Sequence, residues 1–170
     1  MIVRYTAEQA ESDIEQLVDL LIDAVESGAS IGFMPPITRP QAFSYWQDVI
    51  AAMRADRRVL LVAMDGDRIQ GSVQLDLEPR ANGNHRAEAM KLCVHRRARR
   101  RGLAKSLMQE VESTARQLGR TLLLMDTRKG GEAEKMCESL GYTCYGEVPK
   151  YARSGDGRLD ASVFYYHQLE

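Results

Sequence analysis

Apolar residues along the chain alternate between helix-like and strand-like spacing. In two long segments, 14–25 and 104–118, apolar residues lie three and four positions apart, and a glycine, Gly28 or Gly119, follows each segment. This spacing gives an α-helix one apolar face. Shorter helical patterns cover 43–53 and 132–140.

Short apolar runs bounded by turn residues predict seven strands. They cover 2–5, 59–64, 69–77, 88–94, 121–125, 142–148 and 162–169. The order of elements predicts an α/β (α+β) fold, in which about four helices flank a central mixed sheet of six to seven strands. With 170 residues, the chain is expected to form one domain over 1–170.

The composition narrows the classes of function. The 23 basic and 24 acidic residues nearly cancel, which argues against a nucleic-acid partner. Three scattered cysteines, without a CxxC pair, indicate neither a disulfide framework nor a zinc site, so a reducing, cytoplasmic setting is expected. The three histidines lie far apart, and no uncharged apolar run reaches about 18 residues, so we expect no metal and no membrane partner.

A basic run joins the strand at 88–94 to the helix at 104–118. It consists of Arg99, Arg100, Arg101, Gly102, Leu103, Ala104 and Lys105, and we call it the anion turn (residues 99–105). Backbone N–H groups at a helix start lack intrahelical partners and can bind a phosphate, which Gly102 lets approach closely. A solvated loop or a nucleic-acid patch is the alternative for such a run.

The anion turn, followed by a long helix, an apolar strand and a helix that closes on Leu140-Gly141-Tyr142, resembles the GCN5-related N-acetyltransferases (GNAT superfamily). Within that superfamily the chain looks closest to the tabtoxin-resistance-type acetyltransferases. The segments that carry this second resemblance are 28–34, 125–127, 146–149 and 156–159.

The resemblance implies a GNAT fold, a mostly antiparallel sheet splayed between its fourth and fifth strands, and acetyl-CoA as the cosubstrate. The anion turn would hold the pyrophosphate, and the pantetheine would lie in the splay like an extra strand. By the same resemblance the further cofactor-binding residues are Leu92, Cys93, Val94, Asp126, Thr127 and Ala133.

The resemblance and the chemistry of transfer together suggest catalytic residues. An amine acceptor must lose a proton, and Glu88 and Asp126 are the carboxylates expected on the acceptor side of the splay. Cys137 stands where many relatives carry a tyrosine as general acid. A buried cysteine that only packs is the alternative, with water, Tyr142, Tyr145 or Tyr151 as the proton source.

The implied activity is transfer of acetyl to a small amino-acid-like amine, which would detoxify a β-lactam dipeptide toxin or a related antibiotic. The residues expected to contact the acceptor are Phe33, Met34, Trp46, Glu88 and Tyr151, with Arg153 and Arg158 available for a carboxylate. The alternative hypotheses are that the protein is a protein or polyamine acetyltransferase, or that it is an acyl-CoA-binding sensor without turnover. A monomer or a homodimer is expected.

Overall fold

The computed structural model describes residues 1–169 and contains seven strands and five α-helices in that range. The strands are β1 (Ile2–Tyr5), β2 (Arg58–Asp65), β3 (Arg68–Leu77), β4 (Arg86–Val94), β5 (Leu122–Arg128), β6 (Thr143–Arg153) and β7 (Leu159–Gln168). The helices are α1 (Ala7–Ser12), α2 (Ile14–Glu26), α3 (Arg39–Arg54), α4 (Leu103–Gln117) and α5 (Glu132–Ser139), and a 3-10 turn covers Arg96–Ala98.

The strands form one mixed sheet in the order β1-β2-β3-β4-β5-β7-β6. Every neighbouring pair is antiparallel except β4 and β5, which run parallel. The predicted fold class and all seven strands are therefore confirmed.

The helices differ from the expectation at two places. Helix α1 was not predicted, because its only buried residues are Ala7 and Ala10, and a capping box between Thr6 and Gln9 begins it. Helix α3 begins at Arg39 rather than at 43, because Thr38 and Gln41 form a second capping box there. The Thr38 N–H donates to Gln41 Oε1 at 2.9 Å.

The sheet separates two apolar cores. Helices α1, α2 and α3 cover one face, where Leu60 and Val62 of β2 are buried, and α4 and α5 cover the other, where Leu61 of β2 is buried. Alternate strand residues point to opposite faces, so β2 contributes to both cores. The loop after α2 therefore lies on the opposite side of the sheet from α4.

Strands β4 and β5 separate soon after they meet. Their pairing covers three positions and ends at Glu88 opposite Leu124, although β4 continues to Val94 and β5 to Arg128. The register between β3 and β4 shifts in this stretch, and Lys91 has a φ of +55°, which marks a β-bulge. A bulge bends its strand, and the expected splay lies between these two strands.

No helix within residues 1–169 is long and apolar enough to cross a membrane. Over the same residues, no group of three or more His, Cys, Asp or Glu side chains is arranged to hold a metal ion.

Candidate active site

A cavity of about 460 Å³ opens where β4 and β5 separate. Its lining comes from β4, β5, the start of α5, the loop after α2 and the outer hairpin of β6 and β7. We call it the cleft. Among its lining residues are the predicted site residues Glu88, Leu92, Asp126, Thr127, Ala133 and Tyr151.

Glu88 and Asp126 lie together on the floor of the cleft. Glu88 pairs in register with Leu124, and Asp126 lies two residues further along β5, so both carboxylates face the same side of the sheet. Burial raises the pKa of half-buried Glu88, and the negative charges of Asp126 and Asp76 raise it further. Glu88 therefore binds a proton more strongly than an exposed glutamate does.

Lys91 is a cleft residue that the sequence pattern did not predict. Its Nζ donates to the carbonyl oxygen of Ile31 at 2.5 Å and lies 5.6 Å from the centre of the Phe33 ring. Burial lowers the pKa of Lys91. The interruption of an apolar strand by lysine was visible in the sequence, but its partner lies 60 positions away. Lys91 thus ties the loop after α2 to the centre of the sheet.

The anion turn has the backbone shape expected for phosphate binding. Arg100 and Gly102 have φ values of +62° and +77°, and a Cβ placed at Gly102 would meet nothing within 4 Å. Helix α4 begins at Leu103, and the Ser106 N–H is the donor that bonds back to the Gly102 carbonyl. The N–H groups of residues 103–105 precede that bond and are available to a ligand.

The arginines before α4 are not equivalent. Arg96 binds the carboxylate of Asp23, and Arg97 donates to Gln70 Oε1 at 2.9 Å, so both arginines make contacts that stabilise the fold. Arg99 donates to the Val94 carbonyl at 3.0 Å. Arg100 and Arg101 are exposed at the turn, where they can meet an anion.

A second cavity, of about 550 Å³, adjoins the cleft, and we call it the outer pocket. It lies between the loop after α2, which contributes Phe33 and Met34, and the loop that joins β6 to β7. Arg128 lines both cavities and donates to the Gly28 carbonyl and to Ser154 Oγ, each at 3.3 Å. Arg128 therefore lies where the two cavities adjoin.

The two arginines expected to meet an acceptor carboxylate are engaged within the hairpin. Arg153 donates to the Gly157 carbonyl at 2.9 Å, and Arg158 donates to the Asp156 carboxylate at 2.7 Å. Both line the outer pocket, but Arg128 is the guanidinium that lies at the junction of the two cavities. The sequence pattern did not indicate this position, because Arg128 ends an ordinary apolar strand.

Trp46 does not occupy the position expected for it. It is 2% exposed, lines neither cavity, and donates its indole N–H to the Leu17 carbonyl at 2.9 Å. The expectation of substrate contact is corrected to a core role. Trp46 packs edge-on against Tyr45, which packs edge-on against Phe33, so it supports the loop indirectly.

Cys137 is fully buried in the core between α5 and β5. Its Sγ lies 3.4 Å from the Met125 sulfur, and it lines neither cavity. Burial raises the pKa of its thiol to about 12, which makes it a weak acid. This placement favours packing alone. Of the alternative proton sources, Tyr142 is buried in the same core, whereas Tyr151 lines the cleft.

The remaining cofactor candidates lie along the separated part of β4. Leu92 lines the cleft, Cys93 is 5% exposed with its side chain in the core under α2, and Val94 packs towards the core under α4. Any contact of Cys93 and Val94 with a ligand in the cleft would therefore come from their backbone groups.

A mixed sheet that splits between its two parallel strands, with a basic turn and a helix start after β4, is consistent with the acetyltransferase fold that the sequence resemblance implies. The acetyltransferase (GNAT) family model matches residues 16–142. An uncharacterized N-acetyltransferase from Azospirillum brasilense, encoded in the hisH-hisA intergenic region, is 34% identical over 120 residues, 69% of each chain. The chain belongs to the GNAT family and is an N-acetyltransferase.

Solved structures share the fold at low sequence identity. A ribosomal-protein-alanine N-acetyltransferase from Brucella melitensis has a TM-score of 0.80 at 20% identity and covers 99% of both chains. The yncA protein of Salmonella typhimurium, solved with its cofactor acetyl-CoA, has a TM-score of 0.80 at 18% identity and covers 100% of this chain and 94% of its own. Identities this low establish the fold alone.

Proposed function

We propose that this N-acetyltransferase transfers acetyl from acetyl-CoA directly to the amine of a small, amino-acid-like acceptor while both substrates are bound. The observation that supports the proposal is that two adjoining cavities share Arg128, and that Glu88 and Asp126 line the first of them, the cleft. One cavity continues the split in the sheet, and the other lies between two loops. Two adjoining cavities suit a reaction in which two substrates are bound together.

The residues present fit acetyl-CoA, which supplies the acetyl group as a thioester. The N–H groups of residues 103–105, with Arg100 and Arg101, would bind the pyrophosphate. Backbone groups of residues 92–94, unpaired towards β5, would bind the pantetheine amides. One N–H of this stretch, aimed at the thioester oxygen, would stabilise developing negative charge by about 3 kcal/mol.

Glu88 is the proposed base. An amine with a pKa of about 10.4 is unprotonated in only about one molecule in 10³ at pH 7, so a base is needed. Glu88 takes the proton directly or through water, and Asp126 orients the amine. The raised pKa of Glu88 supports this role, because it makes the carboxylate a stronger base.

We propose that water or Tyr151, rather than Cys137, protonates the departing thiolate. A thiol with a pKa of about 8.5 leaves with little assistance, so a dedicated acid contributes less here than for an alkoxide. Tyr151 lines the cleft and is 53% exposed, whereas Cys137 is buried in the core.

The outer pocket supports a small acceptor. Its lining combines Phe33 and Met34 with charged side chains, which suits a molecule with an apolar body and polar ends. Because of the resemblance to tabtoxin-resistance-type acetyltransferases, we extend the proposal to a β-lactam dipeptide toxin or a related antibiotic as the acceptor. We further propose that the enzyme has one domain, acts in the cytoplasm and is a monomer or a homodimer.

A protein acceptor is the second candidate. Exposed apolar side chains line the two cavities, with Met34 at 43% exposure in the outer pocket and Tyr151 at 53% exposure in the cleft. An extended peptide could lie across this apolar surface while its amine enters the cleft.

The test is release of free CoA from acetyl-CoA, with mass detection of the product, against amino acids, dipeptide-toxin warheads, polyamines and peptides. An acetylated small amine with a kcat/KM of about 10⁴ M⁻¹s⁻¹ or more supports the first proposal. Efficient acetylation of peptides alone supports the second. Tight acetyl-CoA binding with no acceptor turned over would contradict both and favour a sensor.

A further inference from the structure

The last turns of α2 contact the segment that leads into the anion turn. Asp23, whose side chain is 9% exposed, accepts from the backbone N–H of Arg96 at 2.9 Å with one carboxylate oxygen. Its other oxygen accepts from Arg96 Nε at 2.5 Å. One carboxylate therefore fixes both the backbone and the side chain of Arg96.

Ser27, one helical turn further on, makes a second contact of the same kind. Its hydroxyl donates to the Asp23 carbonyl at 2.6 Å and accepts from the guanidinium of Arg99. Arg99 also bonds to the Val94 carbonyl, where β4 ends. The end of α2 thus holds the connection between β4 and α4 at two points.

The charge of Asp23 is unexpected beside an anion site. A carboxylate close to a bound pyrophosphate repels it, so Coulomb attraction does not explain why an acid stands here. Arg96, whose side chain is 56% exposed, pairs with Asp23, so its charge is partly neutralised before a ligand binds. The arrangement therefore weakens the electrostatic attraction between this region and an anion, and it fixes the geometry of the segment that leads into the anion turn.

We propose that Asp23 is a positioning residue for acyl-CoA. By fixing Arg96 it orients the anion turn, so that the N–H groups at the start of α4 are directed at the pyrophosphate before it arrives. Asp23 itself does not touch the cosubstrate. The inference rests on the proposed function, because it takes the pyrophosphate to bind at the anion turn.

The test is isothermal titration calorimetry on the full chain with two ligands. Acetyl-CoA carries the pyrophosphate, and S-acetylpantetheine, titrated at millimolar concentration or by displacement, lacks it. Asp23→Asn keeps the size of the side chain and removes its charge. Asp19→Asn is the matched control, because Asp19 lies one turn earlier on the same helix, is exposed, and pairs with Arg39.

Asp23→Asn is expected to raise the Kd for acetyl-CoA about tenfold, the usual effect of losing one charge-assisted hydrogen bond, and to leave S-acetylpantetheine binding unchanged. Asp19→Asn should change neither. Acetyl-CoA binding that is unchanged or tighter in Asp23→Asn would overturn the proposal, since removing a negative charge without loss of positioning favours an anion. Equal weakening of both ligands would also overturn it.

The wild-type comparison separates this inference from the proposed function. If the wild type binds both ligands equally, the anion turn does not hold the pyrophosphate, and both proposals fall. If it prefers acetyl-CoA and only the effect of Asp23→Asn is absent, the positioning role alone is overturned. Should thermal unfolding show that Asp23→Asn does not fold, Arg96→Gln breaks the same pair from its exposed side and must give the same selective loss.

Discussion

Glu88 combines two properties of a catalytic base, access to the cleft and a raised pKa. A carboxylate works as a base only when it is unprotonated, so the rate should rise with pH as Glu88 loses its proton, above the usual glutamate range near pH 4.3. Lys91 and Arg58 oppose the raising effect of burial and of Asp126 and Asp76. The position of the rise therefore depends on several neighbouring charges.

Glu88→Gln should lower kcat by about 10²–10⁴-fold and abolish this rise, because a glutamine cannot accept the proton. The measurement is kcat from pH 4.5 to 9 at saturating acetyl-CoA. Asp76→Asn is the control: it removes a charge that raises the pKa of Glu88, so the rise should move to lower pH with kcat retained. A pH profile unaltered in Glu88→Gln would remove Glu88 as the base.

Cys137→Ala separates packing from acid catalysis. If the thiol only packs, kcat should change less than about twofold, while the free energy of unfolding falls by about 1 kcal/mol as a small cavity forms. Urea unfolding and steady-state kinetics measure the two effects. A 10²-fold fall in kcat with unchanged stability would instead make Cys137 the general acid.

At the scale of elements, the loop after α2, which lines the proposed acceptor pocket, is bonded to the centre of the sheet. Lys91 reaches it from the bulge in β4, and Gly32 in this loop has a φ of +89°, a backbone conformation that favours glycine. The opposite wall is the β6–β7 hairpin, in which Gly155 packs against Pro35.

Lys91→Met should loosen this loop and raise the KM for the acceptor about tenfold, with a smaller change in the KM for acetyl-CoA. Loss of the positive charge should also raise the pKa of Glu88, so the rise in rate should move to higher pH. Lys129→Met is the matched control, because Lys129 is exposed and pairs with Glu147 outside both cavities. The same increase in acceptor KM in both variants would contradict the anchoring role.

Elements with a strong local sequence pattern were predicted, whereas features that depend on residues distant in the sequence were missed. The strand at 59–64 is a continuous apolar run, and the helix at 104–118 has a clear helical period. Strand β6 was predicted to end at 148 but continues to Arg153, because an exposed edge strand carries little apolar pattern. The grouping of Glu88 with Asp126 followed from the family resemblance, whereas the partner of Lys91 and the core position of Trp46 depend on tertiary packing.

At the scale of the whole molecule, the two cores share one sheet that is incomplete between β4 and β5. A ligand that binds in the split should therefore raise the free energy of unfolding of the whole molecule, but it should slow hydrogen exchange only near the split. Binding to the native state alone adds about 2.7 kcal/mol of stability when the free ligand is a hundredfold above its Kd.

Acetyl-CoA is accordingly expected to raise Tm and to slow hydrogen–deuterium exchange in peptides covering residues 90–94 and 103–106. Peptides from β1, on the opposite edge of the sheet, should be unaffected, because β1 lines neither cavity. Mass spectrometry with and without acetyl-CoA measures both regions together. Equal protection everywhere would indicate global tightening instead of binding in the split.

The split also gives the sheet an interior edge, a feature that proteins usually confine to the periphery and blunt against unwanted pairing. Here the unpaired stretch of β4 lies at the base of a wedge, between the loop after α2 and the start of α5. A folded neighbour would have to bring the elements that flank its strand into this wedge, whereas a thin, flexible chain with a few amides would not. The same opening that admits a ligand thus protects the protein from self-association through the middle of its sheet.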